Sequence, residues 1–282
     1  MKITKKILLL IFVSIALSST LYLWKWAKGS YENQQLQQQL EELYQGGAQE
    51  DQDKVPGSSS EGREILPEYR QLYEQNKDIV GWLNLGVFST PVVQKDNAYY
   101  LTHDFYGQEN DHGQIFLDER NSPELTDDNT ILYGHNIPSD KSMFHVLMNF
   151  KNPEFVKQHP IIYLNSLYEK NQYAVAAVYL VSTRPEHGEV FDYINYLNFS
   201  SKDAKEEYLS QIRQRSLIDA GVELNLEDKL LTLSTCSYEF SDARLVVVAR
   251  KLRQGENPAD FGKDVSRREN PLMPPIWTEL YG

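Results

Sequence analysis

The chain has 282 residues, of which 41% are hydrophobic and 24% are charged, as in ordinary globular proteins. Its net charge is −12, and because its first 28 residues contain five lysines and no acid, the remainder carries −17. A domain this acidic repels a phosphate backbone, so nucleic-acid binding is excluded. The single cysteine, Cys236, excludes an intramolecular disulfide, and its sequence context must decide between a buried inert thiol and a reactive one.

The N-terminal segment is suited to a membrane. Residues 7–24 form an 18-residue run without a charged side chain, preceded by three lysines and ending in interfacial aromatics. The alternative is a cleaved signal peptide, but the run is longer than a typical signal core and no Ala-x-Ala site follows closely. We therefore predict a cytoplasmic tail over residues 1–6, an uncleaved single-pass anchor over 7–24, and an extracellular domain held at the cell membrane.

Residues 25–63 are predicted to join this anchor to the folded domain. Three leucines recur at helical spacing after Ser30, which can cap a helix start, so a juxtamembrane helix is expected to about Gln45. Residues 46–63 are polar and rich in glycine and serine, which is typical of a flexible linker.

Residues 64–252 have the pattern of a mainly β domain. Pro67 is placed to open a helix that Gly81 is expected to end, and further helical stretches are predicted over 141–150 and 202–217. The remaining pattern is one of short apolar runs bounded by Gly, Pro, Asn or Asp, which predict strands over 82–88, 91–94, 114–117, 130–133, 161–164, 173–181, 230–236 and 244–251. Many short strands with few helices indicate a β-barrel with helical decorations.

Residues 253–282 form a C-terminal tail that is polar until Pro271. The apolar residues that follow can pack on the domain, on the membrane or on a partner, and the sequence does not choose among these.

The cysteine lies in the strand predicted over residues 230–236. Strand alternation places Leu231, Leu233 and Thr235 on one face and puts Cys236 on the other, with Thr232 and Ser234. A structural cysteine would more naturally occupy the leucine face. Its position on the polar face, at the end of the strand, therefore favours a working thiol.

Two further residues complete a reactive set. A short loop joins this strand to the next, and such strands pair antiparallel, which brings Arg244 back beside Cys236 as a permanent positive charge. His135 directly follows another strand, after Gly134, which is expected to permit an unusual backbone angle. A cysteine, a histidine and an arginine at strand ends supply a nucleophile, a proton carrier and an oxyanion stabiliser.

The other five histidines lie in polar loops or helices, where surface roles are expected. The sequence contains neither a His-Glu-x-x-His motif nor a second cysteine, so no metal and no cofactor is predicted.

These residues carry a resemblance to a known family. The run Thr232-Leu-Ser-Thr-Cys236 followed by Arg244, with Tyr133-Gly-His-Asn136 upstream, resembles a class B sortase of Gram-positive bacteria. The resemblance covers most of residues 65–252, with further matching segments at 80–83, 91–94, 96–101, 103–107, 113–118 and 142–144.

The resemblance implies a closed eight-stranded β-barrel with an N-terminal helical extension and a long helix before the seventh strand. It implies that Cys236 is the nucleophile, His135 the acid and base, and Arg244 the stabiliser of the oxyanion or substrate. It also implies that the groove for the sorting signal is lined by a set of six residues: Asn97, Leu101, Ser234, Thr235, Tyr193 and Ile194.

The activity implied is that of a membrane-bound cysteine transpeptidase, which is both a thiol peptidase and an acyltransferase. Its partners would be surface proteins or pilins that carry a C-terminal sorting signal, which is cut after threonine. The acyl group would pass to an amine of a peptidoglycan precursor or of a pilin lysine. The alternatives are a hydrolytic cysteine protease with the same residues and a non-enzymatic surface-binding barrel with an inert cysteine.

Overall fold

The computed structural model describes residues 2–50 and 64–282 and divides into two units, of which the first ends at Leu40. Helix α1 (Lys2–Glu50) includes all the described residues of the first unit and continues into the second, and it is long and apolar enough to cross a membrane. The predicted juxtamembrane helix lies within α1, which continues five residues into the predicted linker. The rest of that linker, residues 51–63, lies outside the described residues, and the assignment of the anchor stays a prediction.

The second unit is built on a closed barrel of eight strands, each of which overlaps one of the predicted strands. In chain order the barrel strands are β1 (Ile79–Asn84), β2 (Ser89–Val93), β3 (Phe116–Leu117), β4 (Asn129–Tyr133), β5 (Ile161–Ser166), β6 (Gln172–Ser182), β7 (Leu230–Ser237) and β8 (Ala243–Lys251). Around the barrel the order is β1-β2-β3-β4-β7-β8-β6-β5, and β5 closes on β1. The barrel is mixed, since β2 with β3 and β4 with β7 are its parallel pairs.

Alternation along the strands creates two cores. Leu231 and Leu233 of β7 point into the barrel, where they join buried aliphatic side chains of the other strands. Val246 and Val248 of β8 point outward into a second core that also holds Tyr208. The second core therefore covers the outer face of β7 and β8, which includes the predicted polar face of the cysteine strand.

The helices of this unit are α2 (Pro67–Gln75), α3 (Pro153–Gln158), α4 (Lys202–Arg215) and α5 (Pro275–Tyr281). Single turns of 3₁₀ helix lie at Tyr99–Leu101, Pro185–His187, Tyr193–Asn195 and Pro258–Asp260. Helix α4 is the long helix expected before the seventh barrel strand, and the Ser201 hydroxyl caps its start by accepting from the Ala204 N–H at 3.1 Å.

Two sequence expectations were wrong in detail. The stretch predicted as helical over residues 141–150 begins with a short strand, Ser142–Met143, and continues as a 3₁₀ helix, Phe144–Lys151. Helix α2 ends at Gln75, well before Gly81, which lies inside β1. A Cβ at Gly81 would stand 2.2 Å from the Asn165 carbonyl oxygen on β5, so the glycine serves the close approach of two strands.

The C-terminal tail packs on the barrel unit. Met273 and Trp277 pack against the barrel core, and the Leu272 N–H donates to the Gln214 carbonyl at 2.8 Å. The Tyr281 hydroxyl donates to the carbonyl of Glu239, which lies in the connection between β7 and β8, at 2.6 Å.

Candidate active site

The parallel pairing of β4 and β7 brings His135 and Cys236 to the same end of the barrel. Tyr133 pairs with Ser234 in this register, and His135 and Cys236 each follow two positions later in their own segments. The Thr235 hydroxyl donates to the Gly134 carbonyl at 2.7 Å, which ties the two segments together where the ladder ends. Residues 101 positions apart in sequence are thereby held side by side.

Arg244 reaches the same place from the other side of β7. The β7–β8 hairpin pairs Cys236 directly with Arg244, as predicted from the short connection. Directly opposite residues on antiparallel strands point to the same face of a sheet, so the guanidinium and the thiol share one face. Cys236 is half-buried, and its thiol is therefore neither sealed in the core nor fully solvated.

Cys236 and Arg244 both affect the pKa values of two tyrosines. Burial raises the pKa of Tyr193 to about 12, against a hydrogen bond with Ser234 and the charge of Arg244, while the charge of Cys236 adds to the increase. Burial also raises the pKa of Tyr238, and Cys236 and Arg244 again act in opposite directions. Both tyrosines therefore stay neutral and lie within electrostatic reach of the thiol and the guanidinium.

The His135 ring is oriented by the segment that carries Leu101. Its Nε2 lies 2.8 Å from the Leu101 carbonyl oxygen, which can only accept a hydrogen bond. The neutral ring therefore carries its proton on Nε2 and keeps Nδ1 as an acceptor. Leu101 thus contacts His135 through its backbone carbonyl oxygen.

The other predicted groove residues differ in exposure. Ser234, Thr235 and Tyr193 are buried, and the Tyr193 hydroxyl lies 2.6 Å from the Ser234 hydroxyl. Burial keeps these three side chains away from the protein surface. Ile194 is exposed, and the Asn97 side-chain oxygen accepts from the Glu119 N–H at 2.9 Å.

Beneath the Ile194 segment lies an ionic network that the sequence did not reveal. The Asp118 carboxylate is buried and accepts two hydrogen bonds from the Arg120 guanidinium, at 2.9 and 2.8 Å. The same guanidinium donates to the Ile194 carbonyl at 2.8 Å and to the Asn195 side-chain oxygen at 2.7 Å. Burial acts to raise the pKa of Asp118, but its hydrogen bonds with Arg120 outweigh burial and lower that pKa.

A second set of contacts surrounds Asn136, which the sequence supplied only as part of a motif. Its side-chain Nδ2 donates to the Cys236 carbonyl at 2.9 Å, and its Oδ1 lies 2.7 Å from His145 Nδ1. The Tyr238 hydroxyl donates to the Asn136 carbonyl at 2.9 Å. A polar residue next to His135 was the available signal, but its partners come from distant parts of the chain.

The surface role expected for the remaining histidines does not hold for His112. Its Nε2 lies 2.8 Å from an Asp140 carboxylate oxygen, and both side chains are less than 10% exposed. Gly134 is also used differently from the expectation, because its φ is not positive. A Cβ there would stand 2.2 Å from Ile115 Cδ1 and 3.0 Å from Phe144 Cδ2, so the position is glycine for lack of space.

Comparison with known proteins identifies the family of this chain. Residues 83–252 match the family model of the Sortase domain. The chain is 34% identical over 196 residues to Sortase B of Staphylococcus aureus, an alignment that covers 67% of this chain and 76% of that protein. It is 33% identical over 229 residues to Sortase B of Listeria monocytogenes, which covers 79% of this chain and 88% of that protein.

Solved structures agree with the sequence comparison. The Staphylococcus aureus sortase B–substrate complex superposes with a TM-score of 0.68 and 30% identity, covering 80% of this chain and 98% of that one. The Clostridium perfringens sortase B superposes with a TM-score of 0.58 and 33% identity, covering 65% of this chain and 99% of that one. The chain therefore belongs to the sortase family of cysteine transpeptidases, in its class B.

Proposed function

We propose that Cys236, His135 and Arg244 carry out peptide cleavage and acyl transfer on a C-terminal sorting signal. The observation that carries this proposal is the direct cross-strand pairing of the chain's only cysteine with Arg244, at the end of the strand that runs parallel to the one preceding His135. Nucleophile, proton carrier and charge stabiliser thus sit on three adjacent elements of one barrel end.

The proposed reaction has two halves. The Cys236 sulfur adds to the carbonyl carbon of the signal threonine, and Arg244 stabilises the oxyanion that forms. The His135 imidazolium protonates the leaving amine, which departs and leaves a thioester. An incoming amine attacks this thioester, gives its proton to the His135 imidazole, and expels the thiolate.

The sorting signal is proposed to lie along the wall formed by Ile194 and the half-buried Asn97 and Leu101. Ser234, Thr235 and Tyr193 would shape this groove through their buried hydrogen bonds. For the amine we propose a peptide amine of the peptidoglycan precursor. This follows the likeness to a sortase B solved in complex with triglycine, with a TM-score of 0.67, 30% identity, and coverage of 80% of this chain and 99% of that one.

We further propose that residues 7–24 anchor the chain as a single span, with the barrel on the extracellular side. The lysines at the N-terminus favour retention of that end in the cytoplasm. The surface protein that is cut and held on Cys236 would then stay near the membrane, where surface proteins that carry a sorting signal and lipid-linked wall precursors both reside.

The test is product analysis with the full-length protein in detergent. A library of peptides that contain proline and threonine is screened for a sequence that the protein cleaves. Mass spectrometry then follows the products of that peptide with and without triglycine or a lysine-containing pilin peptide. We expect a triglycine adduct with the wild type and no cleavage with Cys236→Ala. Hydrolysis alone in the presence of both amines would indicate a protease, an adduct only with the lysine peptide would indicate pilin assembly, and an active Cys236→Ala variant would refute the assignment of the nucleophile.

A further inference from the structure

The placement of His135 relative to Cys236 depends on contacts outside the three residues of the proposed site. The two side chains lie on neighbouring segments, and the β4–β7 ladder ends at Tyr133 and Ser234, before it reaches either of them. Beyond that point the histidine segment turns away into a short hairpin in which Asn136 pairs with Met143. The hydrogen bond from the Thr235 hydroxyl to the Gly134 carbonyl joins the segments one residue before His135 and Cys236, so contacts beyond it must hold those two residues at a constant separation.

Asn136 and Tyr238 supply such contacts in a reciprocal way. From the histidine segment, Asn136 Nδ2 donates to the backbone carbonyl of Cys236 at 2.9 Å. From the cysteine segment, the Tyr238 hydroxyl donates to the backbone carbonyl of Asn136 at 2.9 Å. Each hydrogen bond ends on the backbone of the other segment, so the pair restrains the main chain at Cys236 and at the residue that follows His135.

The amide of Asn136 is held in the orientation this requires. Since the Cys236 carbonyl only accepts, the amide nitrogen must face it, and the amide oxygen must face His145. His145 Nδ1, at 2.7 Å from that oxygen, therefore carries a proton. Burial and the charge of Lys141 lower the pKa of His145, so the ring is neutral at physiological pH and donates to Asn136 through Nδ1.

Asn136 and Tyr238 differ in burial. Asn136 is 4% exposed, so loss of its side chain would leave the Cys236 carbonyl and the His145 ring without their partner. Tyr238 is 67% exposed, and removal of its hydroxyl alone deletes one hydrogen bond with little loss of packing. The two positions therefore allow the same restraint to be weakened from either side.

We propose that Asn136 and Tyr238 are positioning residues for acyl transfer, which together fix the approach of His135 to Cys236. This inference rests on the proposed roles of those two residues. A restraint of this kind acts on proton transfer and on the attack geometry, and it leaves the groove along Ile194 unchanged. Its loss therefore lowers kcat, and KM for the signal peptide stays as it was.

The experiment compares Asn136→Ala, Tyr238→Phe and the double variant in the full-length protein, with the library-selected peptide and triglycine as substrates. Tyr163→Phe is the matched control, because it removes the same atom from an exposed tyrosine on β5, which pairs with neither β4 nor β7. We expect kcat to fall about 10- to 100-fold for Asn136→Ala, as for an ångström-scale misplacement. For Tyr238→Phe we expect a fall of about 3- to 10-fold, with KM within about 2-fold for all variants.

The double variant tests whether both hydrogen bonds restrain the same movement, that of the histidine segment relative to the cysteine segment. We expect its kcat to lie within about 3-fold of that of Asn136→Ala, because the second bond cannot hold a segment that the first has released. The inference would be overturned if the kcat losses of the two single variants multiplied in the double variant, if Tyr238→Phe left kcat unchanged, or if KM rose and kcat did not fall. In each case transfer by the wild type would still support the proposed function. Transfer by Cys236→Ala would instead refute the proposed function itself.

Discussion

Replacement of Arg120 separates the stability of the barrel from recognition of the signal peptide. The guanidinium makes two hydrogen bonds to the buried Asp118 carboxylate and two more to the Ile194 and Asn195 segment. The first two neutralise a buried charge, and the last two hold the segment that we propose as a groove wall. Lysine can keep the first function and not the second, because an ammonium lacks the planar fork that reaches both partners.

The magnitudes follow from the exposure of the two partners. Removing one partner of a fully buried ion pair costs about 3–5 kcal/mol, but the Arg120 side chain is 39% exposed, so solvent screening reduces the loss for Arg120→Ala to about 1–3 kcal/mol. At about 2–4 °C per kcal/mol for a domain of this size, Tm should fall by roughly 2–12 °C. For Arg120→Lys we expect a fall of no more than about 3 °C, with KM for the signal peptide raised about 3- to 10-fold through the loss of one or two hydrogen bonds.

The stability effect of Arg120→Ala should also depend on pH. The folded-state pKa of Asp118 is lowered in the wild type, so its contribution to stability is present above the unfolded-state value of about 4 and is lost as the pH falls through the folded value. The difference in Tm between wild type and Arg120→Ala should therefore be large at about pH 7 and shrink on acidification towards about pH 3. Thermal melts across this range and steady-state kinetics at neutral pH provide the measurements. An Arg120→Lys variant with an unchanged KM, or a Tm difference that widens in acid, would refute the reasoning.

Three further predictions concern the site and the N-terminus. Arg244→Lys should lower kcat/KM by about 10²–10³ with an unchanged Tm, since the oxyanion needs a directed donor, and near-normal activity would show that Arg244 supplies charge alone. Gly134→Ala should destabilise the protein by about 1–3 kcal/mol, because the added Cβ meets the buried Ile115 and Phe144, and an unchanged Tm would show that these side chains can move aside. N-terminal sequencing of the mature protein should find the anchor of residues 7–24 retained, whereas a start beyond residue 25 would mean that it is cleaved.

The elements that the sequence predicted well are those set by local pattern. Apolar runs bounded by turn residues located all eight barrel strands, and the short β7–β8 connection placed Arg244 opposite Cys236. Alternation also separated the faces of β7 correctly, with Leu231 and Leu233 inside the barrel. These results depend on neighbours in sequence or on the period of a strand, which a single chain displays directly.

The parts that the sequence did not predict depend on distant partners. The link between Arg120 and Ile194 spans 74 residues, and the link between Asn136 and Cys236 spans 100. The sequence identified the polar face of β7 and did not show that the second core covers it, which buries Thr232 and Ser234. No local pattern reports such covering, because it comes from the return of the segment between β6 and α4 over the sheet.

The order of strands brings the three residues of the proposed site to one end of the barrel. The cysteine lies on β7, the histidine follows its parallel neighbour β4, and the arginine lies on its antiparallel neighbour β8. Neighbouring strands lie about 4.8 Å apart, so the backbone ladders bring the segments that carry His135 and Arg244 to opposite sides of Cys236. On the antiparallel side the ladder extends to the residues of the proposed site, since Cys236 pairs with Arg244. The parallel side ends two residues early, and it is there that side chains must complete the alignment, which is the role that we assign to Asn136 and Tyr238.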